Sequence, residues 1–385
     1  MFTPNDDDRI RRLEPERDYF GFIPLIASIL AVLAMFGGIA YYIYTEATAS
    51  QRAVQAYAAA LRQVGITLPE GFTPSPTILK YLDQLFREPC DREAIKPLAT
   101  AIEGAGYPRE SAKSLEAFAT RCKATAELLE PAYMSYQRLS DHKAAIRVAT
   151  QLIRLDPAYT RWPFLRAQAY ERMGDYQNAL NDYMSALYLF QDISNVWANE
   201  FYRVSRMLDA LGRPCEAITP LETYINFDPE KRRSDQLKTL IKGYATKGGC
   251  ERTYANGADR ILMQDGNNVV EATVNGMKGR FIVDTGASLV SVTSEFARRA
   301  WVKVDRANVV QTKTAGGTMT MTLGVASRVV LGKAEAADVT IAIAPEQRDA
   351  YGDRIDGLLG MSFLARFDVS LSGGYLELKH RELTQ

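Results

Sequence analysis

Three apolar strand-formers, Phe281, Ile282 and Val283, run without a break into Asp284, Thr285, Gly286, Ala287 and Ser288. A carboxylate at the mouth of a buried strand is costly unless hydrogen-bond donors surround it. The residues that follow can supply them. Gly286 carries no Cβ, so the backbone can turn tightly there and bring its N–H groups to Asp284. The Thr285 hydroxyl can bond locally or across an interface, and Ser288 can donate to the outer carboxylate oxygen. This stretch therefore asks for one particular local fold: a buried strand that ends in a tight turn around an acid.

The segment resembles the apolar–apolar–Asp–Thr–Gly–Ala–Ser signature of the aspartic proteases. A second family element lies about seventy residues downstream, where Ile355, Asp356, Gly357, Leu358, Leu359 and Gly360 lead into Met361, Ser362, Phe363 and Leu364. Either motif alone is weak; both in this order are more specific. The resemblance covers residues 259–382 and is similar to the retropepsin branch, in particular its membrane-anchored bacterial members. It implies an all-β acid protease domain over 257–385, with Asp284, Thr285 and Gly286 as catalytic residues. Leu358, Leu359 and Gly360 would pack beneath the catalytic loop. The alternating stretch 309–323 would be the flap hairpin, so that Ala287, Ser288, Ala315, Gly316 and Gly317 would meet an extended peptide. Without that context the same stretch also reads as an ordinary surface hairpin. Two residues depart from retroviral enzymes: Ser288 stands where those have an aspartate, and Met361 where they have an arginine that ties the core to the dimer.

Mechanism turns on a count. Such chemistry needs one ionised carboxylate to take a proton from water and one protonated carboxyl to donate to the peptide carbonyl. Two carboxyls about 3 Å apart share a proton and titrate as a pair. This chain has one Asp-Thr-Gly and no Asp-Ser-Gly. A twofold homodimer is expected, with Asp284 meeting its symmetry mate on the axis. Asp356 lies beside the second motif, yet neither Thr-Gly nor Ser-Gly follows it, and a turn-forming or solvated acid is the expected reading over a second catalytic one.

Upstream, residues 20–44 carry no charge over some 25 positions, enough to cross a ~30 Å hydrocarbon layer. Tyr19, Phe20, Tyr41, Tyr42 and Tyr44 cluster at the ends, where aromatic rings favour the interface. A buried core helix and a cleaved signal peptide ending near Ala47-Thr48-Ala49 compete with this reading. The length of the run favours an uncleaved anchor. Arg9, Arg11, Arg12 and Arg17 precede it and only Arg52 and Arg62 follow closely, which places the disordered tail 1–19 in the cytoplasm and the bulk in the periplasm or another extracytoplasmic space.

Four cysteines suit that side of a membrane. A helix over 92–103 and a returning helix over 109–130 bring Cys122 level with Cys90, and a turn at 226–233 does the same for Cys215 and Cys250; buried free thiols are the alternative. Between residues 127 and 250 the chain repeats itself. Tyr136, Ala145 and Leu152 recur 34 residues later as Tyr170, Ala179 and Ala186, and a third copy, offset by four more residues, sets Gly212 and Ala217 against Gly174 and Ala179. This resembles the tetratricopeptide repeat, clearest at 174–180. Residues 45–126 read as a helical region or cap.

The expected architecture is thus multidomain: a transmembrane helix, an all-α tetratricopeptide-like solenoid and an all-β retropepsin-like acid protease domain. Basic and acidic residues balance at 46 each, which removes any broad electrostatic case for nucleic acid. His142 and His380 belong to no zinc motif, so neither metal nor cofactor is expected. Expected partners are a second copy through the protease domain, a protein substrate or adaptor through the repeats, and the membrane. The competing function is a catalytically silent scaffold for envelope protein assembly.

Overall fold

The computed structural model describes residues 23–63, 66–68, 72–190, 192–250, 254–264, 268–314, 317–346 and 350–380. The expected tail 1–19, the first residues of the apolar run and part of the turn at 265–268 lie outside them. The chain divides into two compact units at Gly106.

In the first unit, α1 (Ile23–Gln63) is a single helix of 41 residues, about 60 Å long at 1.5 Å per residue. The helix does not stop near Tyr44; it continues to Gln63. Over Ile26–Ala49 its mean hydropathy is 2.1 and none of it is buried. A stripe this long and apolar is long enough to span a bilayer. The helices α2 (Pro76–Arg87) and α3 (Arg92–Gly104) follow. Ser75 and Asp91 cap them by accepting from backbone N–H groups in the first turn, and each buries one apolar face, Ile78, Leu82 and Leu85 on α2 and Ile95, Leu98 and Ile102 on α3.

The second unit starts with α4 (Pro108–Arg121). The helix expected over 109–130 is broken: α4 ends at a Cys122 cap, and α5 (Ala126–Arg138) begins afresh. The break places Pro131 in the second turn of a new helix rather than deep inside a long one, where its missing N–H and ring would do more damage. Three hairpins then stack: α5 with α6 (His142–Leu155), α7 (Arg161–Arg172) with α8 (Tyr176–Tyr188), and α9 (Ala198–Ala210) with α10 (Pro214–Asn226). Their turns obey the repeat. Ser140, Gly174 and Gly212 all take left-handed backbone, φ 55°, 76° and 74°; glycine suits that conformation, and Ser140 is the costlier choice. Asp141 and Asp175 cap α6 and α8, while α10 uses Pro214 in its first turn instead. Ala145, Ala179 and Ala217 are fully buried where paired helices approach closely. A short α11 (Pro229–Arg232) and α12 (Asp235–Gly248) close the array. Cys215 and Cys250 form a disulfide with Cα atoms 5.5 Å apart. Cys90 and Cys122 are each disulfide-bonded as well.

The remainder is β-rich: β1 (Ala258–Leu262), β2 (Val269–Val274), β3 (Met277–Val283), β4 (Val290–Val292), α13 (Ser294–Arg299), β5 (Lys303–Thr314), β6 (Gly317–Leu331), β7 (Ala334–Ile343), β8 (Gly357–Leu359), α14 (Met361–Leu364), β9 (Phe367–Ser372) and β10 (Tyr375–His380). Seven strands form one sheet in the order β2-β3-β8-β4-β7-β6-β5, and a β2–β6 pairing closes six of them on themselves. A second sheet runs β1-β10-β9. β6 does not stop at 323, the end of the expected hairpin stretch, but runs on to Leu331. β5 and β7 pair with both sides of Gly324, through Val304 and Ile341, and carry β6 straight through it.

The repeats do not stand apart from this domain. α8 lies along β5, the edge strand of the large sheet, with Ser185 Oγ accepting from Gln311 N at 3.1 Å and Asn181 Nδ2 donating to Asn308 Oδ1 at 3.3 Å. Asn226 Nδ2 on α10 donates to Ala365 O at 3.0 Å. One hydrophobic core runs from Ala167 and Tyr183 through to Phe363 and Leu378. Covering an edge strand in this way satisfies backbone groups that would otherwise invite another chain.

Candidate active site

β3 delivers the acid. Phe281 and Val283 face the core, Phe281 edge-on to Phe296 with ring centroids 5.4 Å apart, and Asp284 is the next residue out. Its Oδ1 accepts from Gly286 N at 2.9 Å and Ala287 N at 3.2 Å, the tight turn that the sequence asks for. No described hydrogen bond joins Ser288 to the carboxylate. The Ser288 side chain instead lies where the cleft meets a second cavity, described below.

The second motif lies beneath. β8 pairs in parallel with β3, Val283 against Leu359, and Asp284 N donates to Leu359 O at 3.2 Å. Met361 N donates to Ala287 O at 2.8 Å. A Cβ on Gly360 would come within 2.1 Å of Leu289 O and 2.7 Å of Ala287 O, so no other residue leaves room for the loop above. Asp356 is part of this scaffold: its Oδ2 accepts from Arg280 N and its backbone carbonyl from Thr293 N, both at 2.9 Å. It meets the middle of β3 at Arg280, four residues before Asp284.

Two supports have roles that the motifs did not announce. Ser362 Oγ accepts from Val290 N and donates to Thr340 O, each at 2.8 Å, tying the exit of the acid loop to β7. Arg366 is 3% exposed and gives its guanidinium to the carbonyls of Ser362, Tyr254, Ala337 and Asp338. Burial pulls its pKa below the usual arginine value. Met361, where retroviral enzymes carry arginine, is buried and apolar, and a buried guanidinium ties the core from five residues downstream.

Asp284 opens into a cleft of about 820 Å³ that also holds Gly286, Ala287, Ser288, Gly317 and Leu358. β5 and β6 roof it with Val310, Thr312, Met319 and Met321. Ala315 and Gly316, at the expected hairpin tip, lie outside the described residues. Thr285 is exposed and faces a different hollow, bordered by Asn226, Phe227, Met361 and Val369. A more apolar cavity of about 470 Å³ separates α8–α10 from the sheet, and Asp284 does not line it. The cleft has one wall that the motifs did not announce: Tyr188, Phe190 and Ile193 come from the repeats. Burial pushes the Tyr188 phenol above its ordinary pKa. The four-residue offset of the third repeat was the available signal, because the extra residues lie in the linker between α8 and α9. Among the described residues, no group of three or more His, Cys, Asp or Glu side chains is placed to hold a metal ion.

An acid cradled by Asp-Thr-Gly over a Leu-Leu-Gly floor, beneath a β-hairpin roof, defines a retropepsin-like aspartyl protease domain. The chain belongs to that family and carries tetratricopeptide repeats ahead of the protease domain: residues 270–363 match the aspartyl protease family and residues 164–193 the tetratricopeptide repeat. It is similar to a retropepsin-like aspartic protease from Rickettsia conorii at 30% identity, over 32% of this chain and 92% of that one, with a TM-score of 0.26. MamA is 18% identical over 40% of this chain and 88% of its own, TM-score 0.33. A thermophilic tetratricopeptide protein of Thermus thermophilus is 17% identical over 52% and 98%, TM-score 0.27. No curated protein matches the chain.

Proposed function

We propose that this chain is a membrane-anchored aspartic endopeptidase, active as a homodimer, that cleaves extracytoplasmic proteins. The observation that carries the reading is the half-site: a single acid, fixed by two backbone donors, at the floor of a peptide-sized cleft. Asp284 of each protomer would meet its mate, one carboxylate taking the proton of water and the other carboxyl donating to the peptide carbonyl. The exposure of Thr285 and Gly286 supports this. Substrate binds extended between the acid loop and the hairpin, by backbone pairing and side-chain pockets. The apolar helix over Ile26–Ala49 supports an anchor, and the disulfide-bonded cysteines support an oxidising compartment for the bulk. Anchoring raises the local concentration of protomers and favours a weak dimer.

Peptide cleavage by the full chain in detergent tests the reading. Asp284→Asn should lower the rate at least about a hundredfold, and excess Asp284→Asn chain mixed with wild type should poison the remaining activity through mixed dimers. Undiminished cleavage by Asp284→Asn removes the catalytic assignment. Activity strictly proportional to wild-type chain, whatever the excess of inactive chain, removes the dimer. A wild type that cleaves nothing while still binding envelope proteins places the chain among scaffolds.

A further inference from the structure

The linker 189–197 between α8 and α9 is four residues longer than the linker 156–160 between α6 and α7. The extra length is anchored. Leu189, Ile193 and Val196 are 3%, 6% and 2% exposed. Asp192 caps a single turn of 3-10 helix at Ile193–Asn195. Arg232 of α11 donates to Ser194 O and stacks on the Tyr224 ring, 4.6 Å from its centroid. α8 itself is fastened to the roof of the cleft through Ser185 and Gln311. The described residues of the linker are therefore held in place, and with the end of α8 they line the cleft that holds the acid. Phe190 is 38% exposed although its neighbour Leu189 is buried, and with Tyr188 and Ile193 it lines the same cleft as Asp284. Val310, Met319 and Met321 of the hairpin line that cleft too. An aromatic ring left part-exposed on an anchored loop contributes little to the fold, whereas in a cleft it can cover an apolar side chain of a bound peptide.

We propose that Tyr188, Phe190 and Ile193 form a specificity subsite, supplied by the repeats, for a large apolar side chain of the peptide bound beside Asp284. This rests on the endopeptidase reading above. It makes the helical array part of the recognition site in cis: the repeats choose which peptides the protease domain accepts.

The test uses the full chain in detergent and extended peptides that differ at one position at a time, phenylalanine or leucine against alanine. For the position that meets the subsite, the wild type should prefer the large residue. Phe190→Ala should reduce that preference, read as the ratio of kcat/KM for the two peptides, by about tenfold, with the change falling on KM more than on kcat. Phe190→Leu should restore most of it. Trp197→Ala, exposed in the same linker but outside the cleft, should leave the ratio where it was. An unchanged ratio in Phe190→Ala overturns the proposal, as does a uniform fall in kcat for every peptide, which marks a structural role. Should the wild type cleave no peptide, the endopeptidase reading fails by itself. The subsite is then judged by binding of uncleavable reduced-amide peptides: a preference for the large residue that Phe190→Ala abolishes sustains it, and equal binding of both peptides overturns it.

Discussion

Two linkers join successive repeats, and they solve different problems. Residues 156–160 take the shortest route from α6 to α7, and Asp156, Pro157, Ala158 and Tyr159 are all exposed. Residues 189–197 make a detour from α8 to α9 and bury Leu189, Ile193 and Val196 on the way. The first needs only to end one helix and begin the next, which Asp-Pro does, because proline cannot continue a helix. The second also lines the cleft of the protease domain. The difference teaches that a repeat array tolerates extra residues at a linker without losing its stacking, and that such a linker is where a scaffold can acquire a contact with what it carries.

If that contrast is right, truncation in the two linkers has unequal effects. Ile193→Ala removes a buried side chain and should cost about 2–5 kcal/mol. Tyr159→Ala removes a ring that is 46% exposed and touches Trp162 edge-on, and should cost below about 1.5 kcal/mol. Thermal unfolding of the full chain in detergent compares them; equal shifts in midpoint erase the distinction. A smaller effect sharpens it. Ser185→Ala leaves Gln311 N without its acceptor, at a cost of about 1–2 kcal/mol. Amide exchange should accelerate at Gln311 on β5 while α6 and α7 are untouched. No change at Gln311 means that α8 merely lies beside the hairpin without holding it.

How much of this could be read from the residues follows from the distance over which each interaction acts. The Asp284 turn was legible because Gly286 and Ala287 answer the carboxylate from two and three residues away. Gly360 was legible through its motif, although the reason for it, the approach of Leu289 O and Ala287 O, is tertiary. The hairpins were legible because a period of 34 places Ala145 and Ala179 at the same buried contact. The offset in the third repeat could be counted but not interpreted, since the direction a linker takes is set by partners such as Ser185 and Gln311, 126 residues apart. Arg366 was missed for the same reason. Its acceptors are carbonyls from three separate segments, and backbone carbonyls leave no trace in a sequence.

The smallest expected difference concerns two acids. Asp156 accepts from Ala158 N at 3.1 Å. Asp192 accepts from the Ser194 hydroxyl and backbone N–H and from Asn195 Nδ2. The Ser194 hydroxyl, the Ser194 N–H and the nearby Arg232 charge hold Asp192 below the usual carboxylate range, the hydroxyl contributing most. A carboxyl whose pKa is depressed on folding contributes stability that is present above its unfolded value and lost as pH falls through the folded one. Asp192 should therefore order its linker throughout the neutral and mildly acid range and release it only on acidification below about pH 4. Asp192→Asn should speed amide exchange at Ser194 at neutral pH, and the gap between variant and wild type should close as pH drops through that range. Asp156→Asn should show a smaller gap at Ala158. A gap at Ser194 that persists at pH 2 would mean that the charge of Asp192 is immaterial, leaving the buried Leu189, Ile193 and Val196 alone to hold the cleft wall.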